Sequence, residues 1–271
     1  MAVSEKIAVI GAGNLGGALL GGLAASRVVP DGNLGAADIS NERLAEAAKV
    51  PGVSFTTSDN KALADWADVL IVAVKPPWVA PVLDGVKDSI RNGQLVISLA
   101  AGVPLSTIEE NLPTDQPAIR AMPNIAMMVQ ASATAVCGNK SATADHIQLA
   151  LEIFSAVGEA VVVHEAQMDA VTGLSGSGPA YVFLLIEALA AGGVKTGLTP
   201  VVASRLAAQT LLGAAKMAIE SGVHPGTLRD QVTTPGGTTI AGLHALEVGG
   251  VRGACMDAVE KAAQRSAELA K

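Results

Sequence analysis

Thr238 and Thr239 stand behind a Thr234-Pro235-Gly236-Gly237 turn and in front of Ile240, Leu243 and Leu246, which recur at helical spacing. One of the two threonines therefore belongs at or near a helix N-cap. The glycines before it let main-chain N–H groups turn outward with no Cβ in the way. Such a helix start gathers unpaired N–H donors at the positive end of the helix dipole and forms a small anion site. The turn is shorter than a P-loop and has no lysine, so a carboxylate suits it better than a triphosphate. An ordinary capped helix start is the plainer reading of the same residues, and other parts of the chain decide between the two.

A second constellation is Gly11-Ala12-Gly13-Asn14-Leu15-Gly16, set between the apolar strand Lys6–Ile10 and a helical run over Gly17–Ala25. Strand, glycine turn and helix in that order are the context a dinucleotide fingerprint requires. The first glycine makes the turn, the second lets backbone approach a pyrophosphate, and the third lets helix pack on strand. Asp38 ends the next strand, Leu34–Ala37, where an acidic side chain holds the ribose hydroxyls of NAD and repels a 2′-phosphate. Ser40, Asn41 and Arg43 follow and could hold that phosphate instead, so the choice between NADH and NADPH stays open, as does a capping role for Asp38. Lys75 closes the strand Val69–Val74, which Pro76 and Pro77 forbid from continuing. Ligands of open parallel sheets collect at the C-terminal strand ends, which aims Lys75 at the cofactor; a plain surface lysine is the alternative.

The elements that must position these residues alternate. Strands are expected at Val53–Thr56, Leu95–Leu99, Ala118–Met122, Thr134–Cys137 and Val161–Val163, with helices over Asn60–Trp66 and Ala142–Ala156. That pattern predicts an α/β, doubly wound Rossmann-type domain over residues 1–163, followed by an all-α domain over 164–271. Pro179–Ala191 and Pro200–Glu220 read as helices apolar on nearly every face, and Val251–Leu269 carries a helical stripe. Helices this apolar exceed what one small bundle can bury, which predicts a core shared between two copies. The segment Gly173–Tyr181 looks like another glycine loop but follows no strand, so its glycines are expected to allow close packing.

Composition narrows the function. Half the residues are hydrophobic, 16% are charged and the net charge is −7, with only three Phe, two Trp and one Tyr. An acidic chain poor in stacking aromatics argues against nucleic acid. Cys137 and Cys255 are far apart and read as free thiols of a reducing compartment. His146, His164, His224 and His244 show no ligand or triad spacing, and no metal site is expected. The N-terminus has no signal-peptide pattern, and the apolar run Tyr181–Val194 is interrupted by Glu187, so the chain reads as soluble and cytoplasmic, with no membrane partner.

Val72-Ala-Val-Lys-Pro76, Arg120-Ala-Met-Pro-Asn124, Gly173–Tyr181, Gly192-Gly-Val-Lys-Thr-Gly-Leu198 and Val232–Thr239 together resemble pyrroline-5-carboxylate reductases, from first strand to last helix. The resemblance implies reduction of the cyclic imine 1-pyrroline-5-carboxylate to L-proline, the last step of proline biosynthesis, by NADP(H) or NAD(H). It implies that Gly11–Gly16 hold the pyrophosphate and that Asn60, Ala73, Val74, Lys75, Pro76, Ala100, Ala101 and Gly102 line the cofactor cleft. Gly236, Gly237 and Thr238 would bind the substrate carboxylate, and Thr239 would place its hydroxyl on the ring nitrogen. Glu165 and Gln231 fall at positions near substrate and cofactor respectively, although many relatives carry asparagine at the latter. Asp38 stands where some relatives have a phosphate-binding serine, against strict NADPH use. The active site would lie at the interface of a homodimer, with a pentamer of dimers as the larger assembly. Two rival readings remain: a β-hydroxyacid dehydrogenase, whose catalytic lysine and asparagine positions hold Val182 and Leu185 here, and a non-catalytic NAD(P)-sensing protein.

Overall fold

The computed structural model describes residues 3–269. Its first part is an eight-stranded sheet in the order β3-β2-β1-β4-β5-β6-β7-β8. The strands are β1 (Ile7–Ile10), β2 (Leu34–Ala37), β3 (Val53–Thr57), β4 (Val69–Val72), β5 (Leu95–Ser98), β6 (Ala118–Met122), β7 (Ser132–Gly138) and β8 (Gly158–Val162). Between them lie α1 (Asn14–Ser26), α2 (Asn41–Ala47), α3 (Asn60–Trp66), α4 (Val79–Val86), α5 (Leu105–Glu110) and α6 (Ala144–Ser155).

Every residue of β1, β2, β4 and β5 is buried, because helices cover both faces of the sheet. Alternate side chains feed two apolar layers. One holds Ile7, Val9, Leu19, Leu23, Ile97 and Phe154, and the other Ala8, Ile10, Leu63, Leu83, Val96 and Met168. Burying a Leu or Phe contributes about 1.5–3 kcal/mol, so these layers set the register of the strands.

The parallel run is broken once. β7 pairs antiparallel with β6, Arg120 opposite Cys137, while β8 returns to parallel with β7. The connection from β6 to β7 is a single 3₁₀ turn, Ile125–Val129, too short for the crossover a parallel neighbour needs.

After β8 come a 3₁₀ turn at Glu165–Gln167, α7 (Met168–Val171) and a π-helical turn at Thr172–Gly176. These pack with the sheet. The compact unit runs to Ser177 and includes the chain from Lys261 onward, whereas the expected boundary lay at 163/164, near the last strand's end. Ser266 Oγ donates to Asp169 at 2.7 Å, Asn124 donates to Ser175 O at 3.0 Å, and a Cβ on Gly176 would stand 2.5 Å from Met122. The last of these is the close approach expected of the Gly173–Tyr181 glycines.

The second unit, Gly178–Glu260, contains α8 (Gly178–Lys195), α9 (Pro200–Ser221), α10 (Pro225–Gln231), α11 (Thr238–Val248) and most of α12 (Val251–Leu269). α8 and α9 meet through the small side chains Ala190, Ala203 and Ala207. Most of the unit's apolar surface faces outward: Phe183 is 60% exposed, Leu184 65%, Leu212 61% and Ile219 79%. The helical run Glu165–Lys195 is long and apolar enough to cross a membrane, although Tyr181–Val194 alone is not. Surfaces of this kind mark a protein interface or a membrane contact.

Candidate active site

The turns after β1, β4 and β5 leave neighbouring parallel strands at the same end of the sheet, where the strand order reverses between β1 and β4. They bring together Gly11–Gly16, Ala73–Pro76 and Ala100–Gly102, as the sequence pattern requires. Gly11 has φ +98°, and a Cβ there would lie 2.8 Å from Ala73 O. A Cβ on Gly16 would lie 2.0 Å from Gly11 O, so no larger residue fits. α1 begins at Asn14 with Gly13 as its cap; no side chain caps it and no acidic residue occupies its first turn. Its first N–H groups are thus free for an anion, with no built-in carboxylate to compete. A cavity of about 520 Å³ adjoins the turn, lined by Gly13, Asn14, Arg43, Met127 and Gln130 among others. These residues fit a dinucleotide: a pyrophosphate on the α1 N-terminus and a groove beside it.

Asp38 lies at the end of β2 with its carboxylate turned inward, side chain 5% exposed. Oδ2 accepts the Ala12 N–H and Oδ1 the Ser40 N–H, both at 2.9 Å, and Arg43 Nη1 approaches at 3.7 Å. The carboxylate thereby ties the glycine turn to the start of α2, which Ser40 caps by accepting the Arg43 N–H. Asn60 is the first residue of α3, behind the cap Asp59. β4 stops at Val72 rather than Val74, and Ala73 N–H donates to Ile10 O at 2.8 Å. Lys75 is extended and exposed, just before the Pro76–Trp78 turn.

Glu165 also belongs to the sheet unit. Its Oε1 accepts the Leu105 N–H at 2.6 Å and stands 3.8 Å from Nη1 of Arg120, whose side chain is 5% exposed. Sequence reading placed Arg120 in a motif but gave it no role. The available signal was an arginine at an inward position of an otherwise apolar strand. Across the pair, burial and the Glu165 charge push the Cys137 thiol up to about 11, with the Arg120 guanidinium and main chain pulling the other way. Cys137 is therefore a neutral thiol and no nucleophile.

The Pro-Gly-Gly turn sits in the helical unit. Gly237 N–H donates to Thr234 O at 3.0 Å, and Gly236 has φ +67°. The cap is Gly237 itself, with Thr238 and Thr239 as the first two residues of α11; no side chain caps the helix and no acidic residue lies in its first turn. This is the same construction as the α1 start: exposed N–H groups, glycine before them, no competing carboxylate. Gln231 is exposed at the end of α10. Two histidines serve local caps, His146 within a capping box at α6 and His224 Nδ1 accepting the Gly226 N–H, while His244 lies within α11.

Residues 165–269 match a family model described as pyrroline-5-carboxylate reductase dimerisation, and residues 6–102 one described as NADP oxidoreductase, coenzyme F420-dependent. A pyrroline-5-carboxylate reductase of Methanosarcina acetivorans is 50% identical, with 99% of each chain covered. The chain belongs to the pyrroline-5-carboxylate reductase family. Among solved structures, the Coxiella burnetii reductase is similar at TM-score 0.94 and 38% identity, covering 99% of this chain and 100% of that one. The Plasmodium falciparum reductase, solved with NADP bound, is similar at TM-score 0.87 and 30% identity over the full length of both. Membership makes the chain an NAD(P)H-dependent oxidoreductase and sets the β-hydroxyacid dehydrogenase reading aside. The helical part matches a dimerisation region, and large apolar faces of it are exposed in the single chain.

Proposed function

We propose that this chain reduces 1-pyrroline-5-carboxylate to L-proline. The observation carrying the reading is the uncapped, carboxylate-free helix start at Gly237–Thr239 in a chain that also has a dinucleotide cradle at Gly11–Gly16. Bound on that cradle, the reduced nicotinamide cofactor supplies the hydride. Gly11, Ala12, Gly13, Asn14, Leu15 and Gly16 cradle the pyrophosphate, the N–H groups at the start of α1 supplying the donors while those of Gly11 and Ala12 stay on Ala37 O and Asp38, and Asp38 and Ser40 shape the adenosine end. Asn60, Ala73, Val74, Pro76, Ala100, Ala101, Gly102 and Gln231 line the remainder, and exposed Lys75 brings a positive charge to it.

The turn Gly236, Gly237 and Thr238 holds the substrate carboxylate, with the main-chain N–H groups of Gly236 and Thr238 as donors while that of Gly237 closes the turn on Thr234 O. The Thr239 hydroxyl, with no hydrogen bond of its own among the described residues, meets the ring nitrogen, and Glu165 lies near the substrate. A threonine hydroxyl is too weakly acidic to be a free proton donor at neutral pH, so Thr239 orients an already protonated imine or relays a proton from water. Attack on a C=N carbon needs no nucleophile, metal or triad, only alignment of the two reactants.

The outward apolar helices support a homodimer whose site is shared by two copies, with a pentamer of dimers as the higher assembly. The same helices are covered by protein rather than lipid, and the protein works in the cytoplasm with neither nucleic acid nor membrane as partner. The test is loss of reduced-cofactor absorbance when 1-pyrroline-5-carboxylate is added to the dimer, with L-proline as product. A folded dimer that binds cofactor and turns nothing over would overturn the reading.

A further inference from the structure

Arg120 is the best-buried cation among the described residues, and part of it has nothing to do. It alternates along β6 with Ile119 and Ala121, which belong to one apolar layer, and so faces the other with Ala118. Its Nη2 is fully buried and has no hydrogen-bond partner among the described residues. The neighbouring Cys137 thiol stays neutral, which leaves Glu165 as the balancing charge. A guanidinium in an apolar layer with an unspent donor is costly, and a hydrophobic side chain of similar volume would serve the core better.

What Arg120 gains is a grip on one turn. Glu165 Oε1, held by Arg120 Nη1, accepts the N–H of Leu105, the first residue of α5. Only Val103 and Pro104 separate Leu105 from the Ala100–Gly102 turn. Glu165 Oε2 makes no hydrogen bond among the described residues, and at 3.8 Å Nη1 and Oε1 form an ion pair longer than a hydrogen bond, so a two-point arginine–carboxylate pair is open to form.

We propose that Arg120 is a positioning residue for the nicotinamide end of the cofactor. Through Glu165 it fixes the turn after β5, and the loose ion pair closes into a two-point pair when the nicotinamide docks on that turn. This rests on the proposed reading that the nicotinamide lies against Ala100–Gly102. The experiment compares two ligands on the full-length dimer: NAD(P)H, and ADP-ribose, which lacks the nicotinamide. In Arg120→Met, affinity for NAD(P)H and kcat should each fall about tenfold while ADP-ribose binds within about twofold of wild type. Arg120→Lys, which keeps the charge, should recover part of the loss. A merely structural role would weaken both ligands together; that result, or no loss at all, overturns the proposal. Should Arg120→Met fail to fold, Glu165→Gln decides by the same comparison, since it keeps the shape and an acceptor for Leu105. The comparison does not depend on the substrate: selective loss of NAD(P)H binding in a protein that does not reduce 1-pyrroline-5-carboxylate would support the positioning role and sink the proposed function.

Discussion

Replacing Asp38 by asparagine probes the adenosine end of the site through two separate measurements. The variant keeps the shape and one acceptor oxygen, and removes the charge. In the wild type the two carboxylate oxygens accept the Ala12 and Ser40 N–H groups at 2.9 Å each. Bonds to a charged acceptor contribute roughly 1.5–3 kcal/mol apiece and a neutral one about 1 kcal/mol. Asparagine weakens one bond and turns an NH₂ against the other donor, so folding should lose roughly 2–4 kcal/mol. Arg43 adds little to this sum, because at 3.7 Å and 55% exposed it makes a surface pair worth under about 1 kcal/mol. Thermal unfolding should show the midpoint falling by roughly 4–16 °C for a chain of this size. Steady-state kinetics with each cofactor should show the NADPH/NADH ratio of kcat/KM rising at least about tenfold, or about 1.4 kcal/mol, once no carboxylate faces the 2′ position. A midpoint equal to wild type would refute the tether. An unchanged ratio would mean that the Asp38 charge serves the loop alone and that Ser40 and Arg43 set the preference.

Thr239→Val keeps the shape at the head of α11 and removes the hydroxyl; kcat should fall roughly 10- to 1000-fold with cofactor affinity unchanged, and wild-type kcat at saturating substrate would remove Thr239 from the mechanism. Mixing a Gly13→Glu subunit with a Thr239→Val subunit, each of low activity alone, should restore up to about half of one wild-type dimer's activity, because one site of each heterodimer joins two intact halves. No recovery in heterodimers shown to have formed would refute a site shared between subunits.

Much of the fold was legible because its cause is local. Strands buried on both faces need apolar runs, so Leu34–Ala37 was read to the residue, and so was Ala118–Met122 although Arg120 interrupts it. α3 was read likewise, with Asp59 capping it. What escaped depends on partners distant in sequence or on masked periodicity. α4 carries Pro81 and Gly85 and was not singled out. The antiparallel β7 follows from the shortness of a connection, which a list of strands does not display. Asp38 shows the same limit within the site. Its place after β2 was evident, but its inward turn is set by the Ala12 and Ser40 N–H groups, and no property of the aspartate itself announces that.

The placement of Glu165 bears most directly on mechanism. By strand pattern it begins the helical half, and the dimerisation match likewise starts at residue 165. By contacts it belongs to the sheet unit, tied to Leu105 and Arg120. Sequence patterns report where periodicity changes, whereas packing reports which residues share a core, and here the two differ by the stretch 164–177. That stretch is held to the sheet by Met168, which is fully buried in the layer beneath β5 and β6, and by Asp169, which accepts from Ser266. On the proposed reading, the carboxylate near the substrate is mounted on the same unit as the cofactor cradle. Changes at Arg120 should therefore lower cofactor affinity as well as kcat, whereas changes at Thr239 should lower kcat with cofactor affinity unchanged.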